Sequence, residues 1–197
     1  MTNMPPEQGP SSAAPTITNR ARIYRIIAVL VAMVALVYLG IRWFPRNSPN
    51  QPLNPVASKG RKAPDFALST PDGKIVRLSD YRGKAVLINF FGTTCVPCRE
   101  ESPHLEQMQK RNVARGFEII GIDMYSSSND AMEKYRKDFG TTYVLVHGND
   151  AVGDQYGVSG LPASYFVNAR GAIVASTEGL RPEKEMDDYL EAALRAE

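Results

Sequence analysis

Cysteine, histidine and tryptophan are scarce in this sequence: its 197 residues include two Cys, two His and one Trp. Two cysteines cannot build a disulfide framework, and a chain of this length does not need one to hold a core. Structural zinc sites use four Cys or His ligands, and beside the cysteines this chain has only His104 and His147, at no paired ligand spacing. No resident metal or other cofactor is therefore expected. A basic stripe interleaved with aromatics is also missing, which removes nucleic acid from the list of partners. Acid is nearly absent from the first 61 residues, which hold one Glu, seven Lys or Arg and eight of the 14 prolines. From Lys62 onward there are 16 basic and 20 acidic residues, so the globular part is mildly acidic although the whole chain carries +2.

The first 61 residues divide by composition. Residues 1–22 open with "MTNMPPEQGPSSAAPTITN", too poor in large apolar groups to offset chain entropy, and are expected to be a disordered tail. Residues 23–44 form an apolar segment of 22 residues, roughly 33 Å as a helix. That length crosses a hydrocarbon core of about 30 Å. Arg25 and Arg42 would snorkel to the headgroups, with Tyr24, Tyr38, Trp43 and Phe44 near the ends as interfacial aromatics. A cleaved leader fits less well, because no A-x-A-like site closes the run. Basic residues flank it on both sides, so charge alone does not orient it. Residues 45–61, "PRNSPNQPLNPVASKGR", read as a Pro-rich linker.

From residue 62 to 197 the pattern alternates. "DFALSTPDGKIVRLSDYRG" predicts a β-hairpin turning at Pro71-Asp72-Gly73, and "KAVLINFF" is apolar throughout, as in a buried strand. A helix over 97–113, a strand "GFEIIGIDM", a helix "NDAMEKYRKDF" capped at Ser128 or Asn129, and a strand "TYVLVH" follow. A short helix "AVGDQYGV", a hairpin of "ASYFVN" and "AIVAST", and a last helix from Pro182 complete the order. Strands alternating with helices, then a terminal hairpin and helix, imply an α/β fold with a central mixed sheet flanked by helices.

Both cysteines lie in "NFFGTTCVPCREESPHL", between the buried strand and the helix that follows it. Cys95 at a helix start meets unsatisfied N–H groups and the positive end of the dipole, which favour the thiolate. Cys98 follows one turn later, within reach for a disulfide, and Pro97 sits where a missing N–H costs nothing. This order makes Cys95 the exposed attacking thiol and Cys98 the recessed resolving one.

With strand, Cys-x-x-Cys and helix in place, the stretch resembles the active site of the thioredoxin superfamily. More narrowly it is similar to membrane-anchored, extracytoplasmic thiol–disulfide oxidoreductases of the TlpA/ResA type. The likeness runs from about Lys62 to the C-terminus, through "APDFALSTPDGKIVRLSDYRGK", "GIDMYSSSNDAMEKYRKDFG" and "YGVSGLPASYFVNARGAIV". It implies that Pro162 is the proline held cis beside the dithiol and that Leu161 offers backbone groups to an extended substrate. Glu101 matches an acid that tunes the titration of the cysteines or relays a proton. Thr94 stands on the substrate face where the family usually has Trp. Asn89 occupies the position at which cytoplasmic thioredoxins keep a buried Asp, and it cannot titrate.

The resemblance implies a protein-disulfide reductase whose clients are extracytoplasmic proteins, such as apocytochrome c or a copper-binding oxidase subunit. A membrane electron donor of the thiol-reductase type would regenerate it, and the catalytic domain would lie on the periplasmic side of the bacterial cytoplasmic membrane. Two alternatives stay open on the sequence. A peroxiredoxin-like peroxidase shares the "APDF…LSDYRGK" entrance, although it needs Thr where this chain has Gly92. A copper-binding assembly module would use the two thiols and a histidine.

Overall fold

The computed structural model describes residues 17–43 and 59–195, with side chains at 22–38 and 59–195. The chain forms two compact units, Met1–Pro49 and Asn50–Glu197.

In the first unit α1 spans Ile17–Trp43, 27 residues. It starts six residues ahead of the expected apolar segment, so residues 17–22, read from sequence as tail, are helical. The rest of that tail and the linker over 45–58 lie outside the described residues. Among the described residues no helix is long and apolar enough to cross a membrane. The expected span over 23–44 runs past the residues whose side chains are described, 22–38, and part of it lies outside them.

The second unit opens with a hairpin of β1 (Ala67–Ser69) and β2 (Ile75–Arg77). Its turn closes where the sequence indicated, with Gly73 N–H donating to the Thr70 carbonyl at 2.9 Å. Gly73 takes φ +81°, a conformation that residues with a Cβ rarely adopt. There follow β3 (Ala85–Phe91), α2 (Val96–Asn112), β4 (Phe117–Asp123), α3 (Asn129–Phe139) and β5 (Val144–His147). The chain ends with α4 (Asp150–Tyr156), β6 (Ala163–Val167), β7 (Ile173–Glu178) and α5 (Glu183–Arg195). Of the two candidate caps for α3, Ser128 is the one used: its Oγ accepts the Ala131 N–H at 3.2 Å.

Five strands form one sheet in the order β5-β4-β3-β6-β7. β3 runs parallel to β4 and antiparallel to β6, so the sheet is mixed, as the order of elements implied. All seven residues of β3 are buried, which explains the unbroken apolar run in its sequence. Side chains alternate across a strand. Val86, Ile88 and Phe90 enter one core with Leu78, Val152, Tyr156 and Tyr165. Ala85, Leu87 and Phe91 enter the other, with Leu105 and Met108 of α2, Met132 and Tyr135 of α3, and Met186 and Leu190 of α5.

Phe90 is fully buried, its ring centroid 5.2 Å from that of Tyr156 and 5.8 Å from that of Tyr165. Tyr165 is tied in turn by its hydroxyl to the Tyr156 carbonyl at 2.6 Å. Because that lattice cannot collapse into the space, Phe90→Ala should cost about 3–5 kcal/mol of unfolding free energy by urea titration.

Candidate active site

The alternation along β3 also sends Asn89 to the α2 side of the sheet, between Leu87 and Phe91, although Asn89 is polar and only 2 % exposed. Beyond Phe91 the chain turns through Gly92, Thr93 and Thr94, with Cys95 N–H donating to the Gly92 carbonyl at 3.0 Å. Cys95 is the N-cap of α2: its backbone is extended (φ −70°, ψ 113°) and its Sγ accepts the Cys98 N–H at 3.4 Å. Pro97 lies in the first turn, where its missing N–H has no partner to lose. Cys95 and Cys98 are joined as a disulfide, their Cα atoms 5.3 Å apart.

One expectation is corrected by burial. Cys95 is not an exposed residue: 7 % of it is accessible against 2 % for Cys98. The order is as expected and the difference is small, because both cysteines lie in one buried apolar cluster with Phe91 and Leu105. Thr94, by contrast, is exposed. Leu161 packs against the apolar cluster that contains both cysteines, and the Leu161–Pro162 peptide is cis. The Pro162 carbonyl accepts the Gly179 N–H at 2.7 Å, which anchors that loop to the end of β7.

Glu101, one turn beyond Cys98, is 4 % exposed. Its Oε2 accepts a hydrogen bond from Asn89 Nδ2 at 3.1 Å, and the same amide nitrogen donates to Ser164 Oγ of β6 at 3.0 Å. Glu101 Oε1 is buried with no hydrogen-bond partner. Burial pushes the Glu101 carboxyl up to about 7, while the Asn89 hydrogen bond pulls it the other way. A carboxyl in that range is half protonated near neutral pH and is able to take or give a proton beside the dithiol. Removing the amide with Asn89→Ala should therefore move the Glu101 midpoint above 7, measured by carboxyl-resolved NMR titration of the oxidised protein.

A second polar link starts at Cys98. Ser102 Oγ donates to the Cys98 carbonyl at 2.8 Å and also hydrogen-bonds the Tyr135 hydroxyl. Burial raises the Tyr135 phenol to about 12 and Tyr143 well above its usual value, so both stay neutral. Sequence reasoning did not pair Asn89 with Glu101, and it missed Ser102, Ser164 and the tyrosines. The period of two along β3 and the spacing of four from Cys98 to Ser102 were the available signals.

The histidines stand elsewhere. His104 is buried, with its ring nitrogens 3.5 Å from Glu183 Oε2 and 3.4 Å from Asp187 Oδ1 on α5. His147 Nε2 pairs with Asn129 Oδ1 at 2.8 Å. Among the described residues no group of three or more His, Cys, Asp or Glu side chains is arranged to hold a metal. Gly92, where a peroxidase would carry Thr, is covered by the Tyr125 ring, and a Cβ there would lie 2.4 Å from Tyr125 Cδ2.

Comparison with known proteins agrees with this geometry. Residues 59–176 match the model of the AhpC/TSA family. The thiol-disulfide oxidoreductase ResA of Bacillus subtilis is 35 % identical over 134 residues, covering 68 % of this chain and 74 % of that protein. ResA of Geobacillus thermodenitrificans is 29 % identical over 172 residues, 86 % of this chain and 94 % of that one. Among solved structures, a Chlorobium tepidum protein described as thiol:disulfide interchange protein DsbE superposes with a TM-score of 0.65. It is 32 % identical and covers 72 % of this chain and 99 % of its own.

The second unit is thus a thiol–disulfide oxidoreductase of thioredoxin-like fold, with Cys95 and Cys98 as its dithiol. The chain belongs to the AhpC/TSA family, among its ResA-type members.

Proposed function

We propose that this protein is a membrane-anchored reductant of disulfides in extracytoplasmic proteins, acting in cytochrome c maturation or a closely related assembly step. The observation that carries the reading is Cys95 Sγ at the N-cap of α2, accepting the Cys98 N–H, since that position favours the thiolate.

In the proposed reaction Cys95 thiolate attacks a client disulfide. A bond forms between Cys95 Sγ and one client sulfur, the client S–S bond breaks, and the departing client thiolate takes a proton. Cys98, having given up its proton, then attacks Cys95 Sγ; the Cys95–Cys98 bond forms and the second client thiolate leaves. The client gains two electrons and the protein loses two, which a membrane thiol reductase would return. Glu101 is the proton relay, held by Asn89. Pro97 shapes the helix start, while Thr94, Leu161 and Pro162 form the face that meets the client.

The anchor belongs to the same reading. The alignment with the Geobacillus protein covers 86 % of this chain, so it extends past the folded unit into the apolar segment. With residues 23–44 in the bilayer, a dithiol working outside the cytosol is the arrangement that disulfide chemistry favours.

Equilibrating the Cys95–Cys98 couple against reference dithiols tests the direction. A potential near or below about −250 mV fits a reductant, and a value near −120 mV would make the protein an oxidant. Faster reduction of a disulfide in a Cys-x-x-Cys-His peptide than of a copper-subunit loop would support the cytochrome client over the other.

A further inference from the structure

Thr94, the exposed residue before Cys95, has no aromatic ring, yet an aromatic side chain is exposed beside the active-site turn. Among the described residues of the folded unit the exposed large apolar ones are Ile75, Val96, Val113, Tyr125 and Leu180, and two of them adjoin the active-site turn. Val96, 65 % exposed, follows Cys95 directly. Tyr125, 54 % exposed, comes from the loop after β4 and lies against Gly92, three residues before Cys95. A Cβ on Gly92 would fall 2.4, 2.7 and 2.8 Å from three atoms of the ring, so only glycine admits it.

The loop that carries Tyr125 is fastened to that turn at both ends. Met124 N–H donates to the Phe91 carbonyl at 2.8 Å. Thr93 Oγ1 and Ser127 Oγ are 2.7 Å apart, and Ser127 donates through N–H and Oγ to the two oxygens of Asp123, at 2.7 and 3.0 Å. Asp123 is fully buried at the end of β4. Between these ties Ser126 takes a left-handed φ of 50°, and Tyr125 is presented to solvent.

A client sulfur joined to Cys95 brings its neighbouring residues onto this turn, because extended chain advances only about 3.3–3.6 Å per residue. We infer that Tyr125 is the specificity-determining platform for clients. It stacks against an aromatic or long aliphatic side chain next to the client cysteine and so replaces the surface that Thr94 lacks. This rests on the protein-disulfide exchange proposed above and adds the class of client: extended segments whose reactive cysteine is flanked by a large apolar residue.

The test uses two disulfide peptides that differ only in Phe or Gly beside the attacked cysteine, reacted with the reduced full-length protein. Wild type should prefer the Phe peptide by about tenfold in kcat/KM, through KM, as one aromatic pair supplies. Tyr125→Ala should bring the ratio near one, and Tyr125→Phe should keep it. Thr94→Trp in the Tyr125→Ala background should restore it in part. An unchanged ratio in Tyr125→Ala overturns the inference, even if both rates drop because the turn has loosened. If wild type exchanges with both peptides equally, the client class is wrong while the exchange stands. If it reacts with neither, the exchange reading itself falls.

Discussion

A reduced Cys98→Ser protein should accumulate a covalent adduct with a disulfide-bonded client, whereas Cys95→Ser should form none and reduce the client no faster than buffer. The asymmetry follows from the capping geometry. Cys95 Sγ sits at the start of α2 and accepts an N–H, so its thiolate is the stabilised one. Cys98 is 2 % exposed and lies one turn in, where a partner's sulfur has least access. Without Cys98 no thiol is near to break the mixed disulfide, so the adduct persists until an external thiol attacks it. Non-reducing electrophoresis and mass spectrometry of the adduct measure the effect directly. Equal trapping on both single variants would mean that neither sulfur is specialised.

The second large effect concerns Glu101. Its carboxyl is 4 % exposed, has one unpartnered oxygen, and is raised by burial from 4.5 to about 7. The folded protein therefore holds a proton that the unfolded chain releases at the ordinary carboxylate value. The resulting stabilisation is fully present below pH 4.5 and is lost as the pH rises toward about 7. Glu101→Gln keeps an acceptor for Asn89 but cannot ionise. The oxidised variant and wild type should differ little in this respect near pH 4, and near pH 8 the variant should be more stable by about 3 kcal/mol. Urea unfolding at the two pH values reads the difference. The same change should flatten the pH dependence of client reduction around neutrality; a variant with an unaltered rate profile would remove Glu101 from proton transfer.

Much of this was legible in the sequence, for identifiable reasons. The strand β3 announces itself because seven buried residues in a row leave no polar position except Asn89. The dithiol is legible because Cys-x-x-Cys with Pro97, following such a strand, has few other uses. The pairing of Asn89 with Glu101 was less visible: each residue reads singly as a core amide or an ordinary helix acid, and only the packing of α2 on the sheet brings them to 3.1 Å. The exposure of Cys95 was overestimated, since accessibility depends on tertiary packing, which seats Cys95 in a buried apolar cluster. Tyr125 was invisible for a similar reason. It stands 30 residues after Cys95, and nothing local marks it as covering Gly92. The helix of the first unit was expected, but its start at Ile17 was not, because helix propensity extends into residues that hydropathy leaves out.

The central claim is that one sulfur attacks and the other resolves within this turn. Rapid-quench mass spectrometry of wild-type reduced protein mixed with a disulfide-bonded client tests it without any substitution. The account predicts a transient adduct carried by Cys95, decaying as the Cys95–Cys98 disulfide and the reduced client appear together. An adduct on Cys98, or client reduction through no covalent adduct at all, would contradict it.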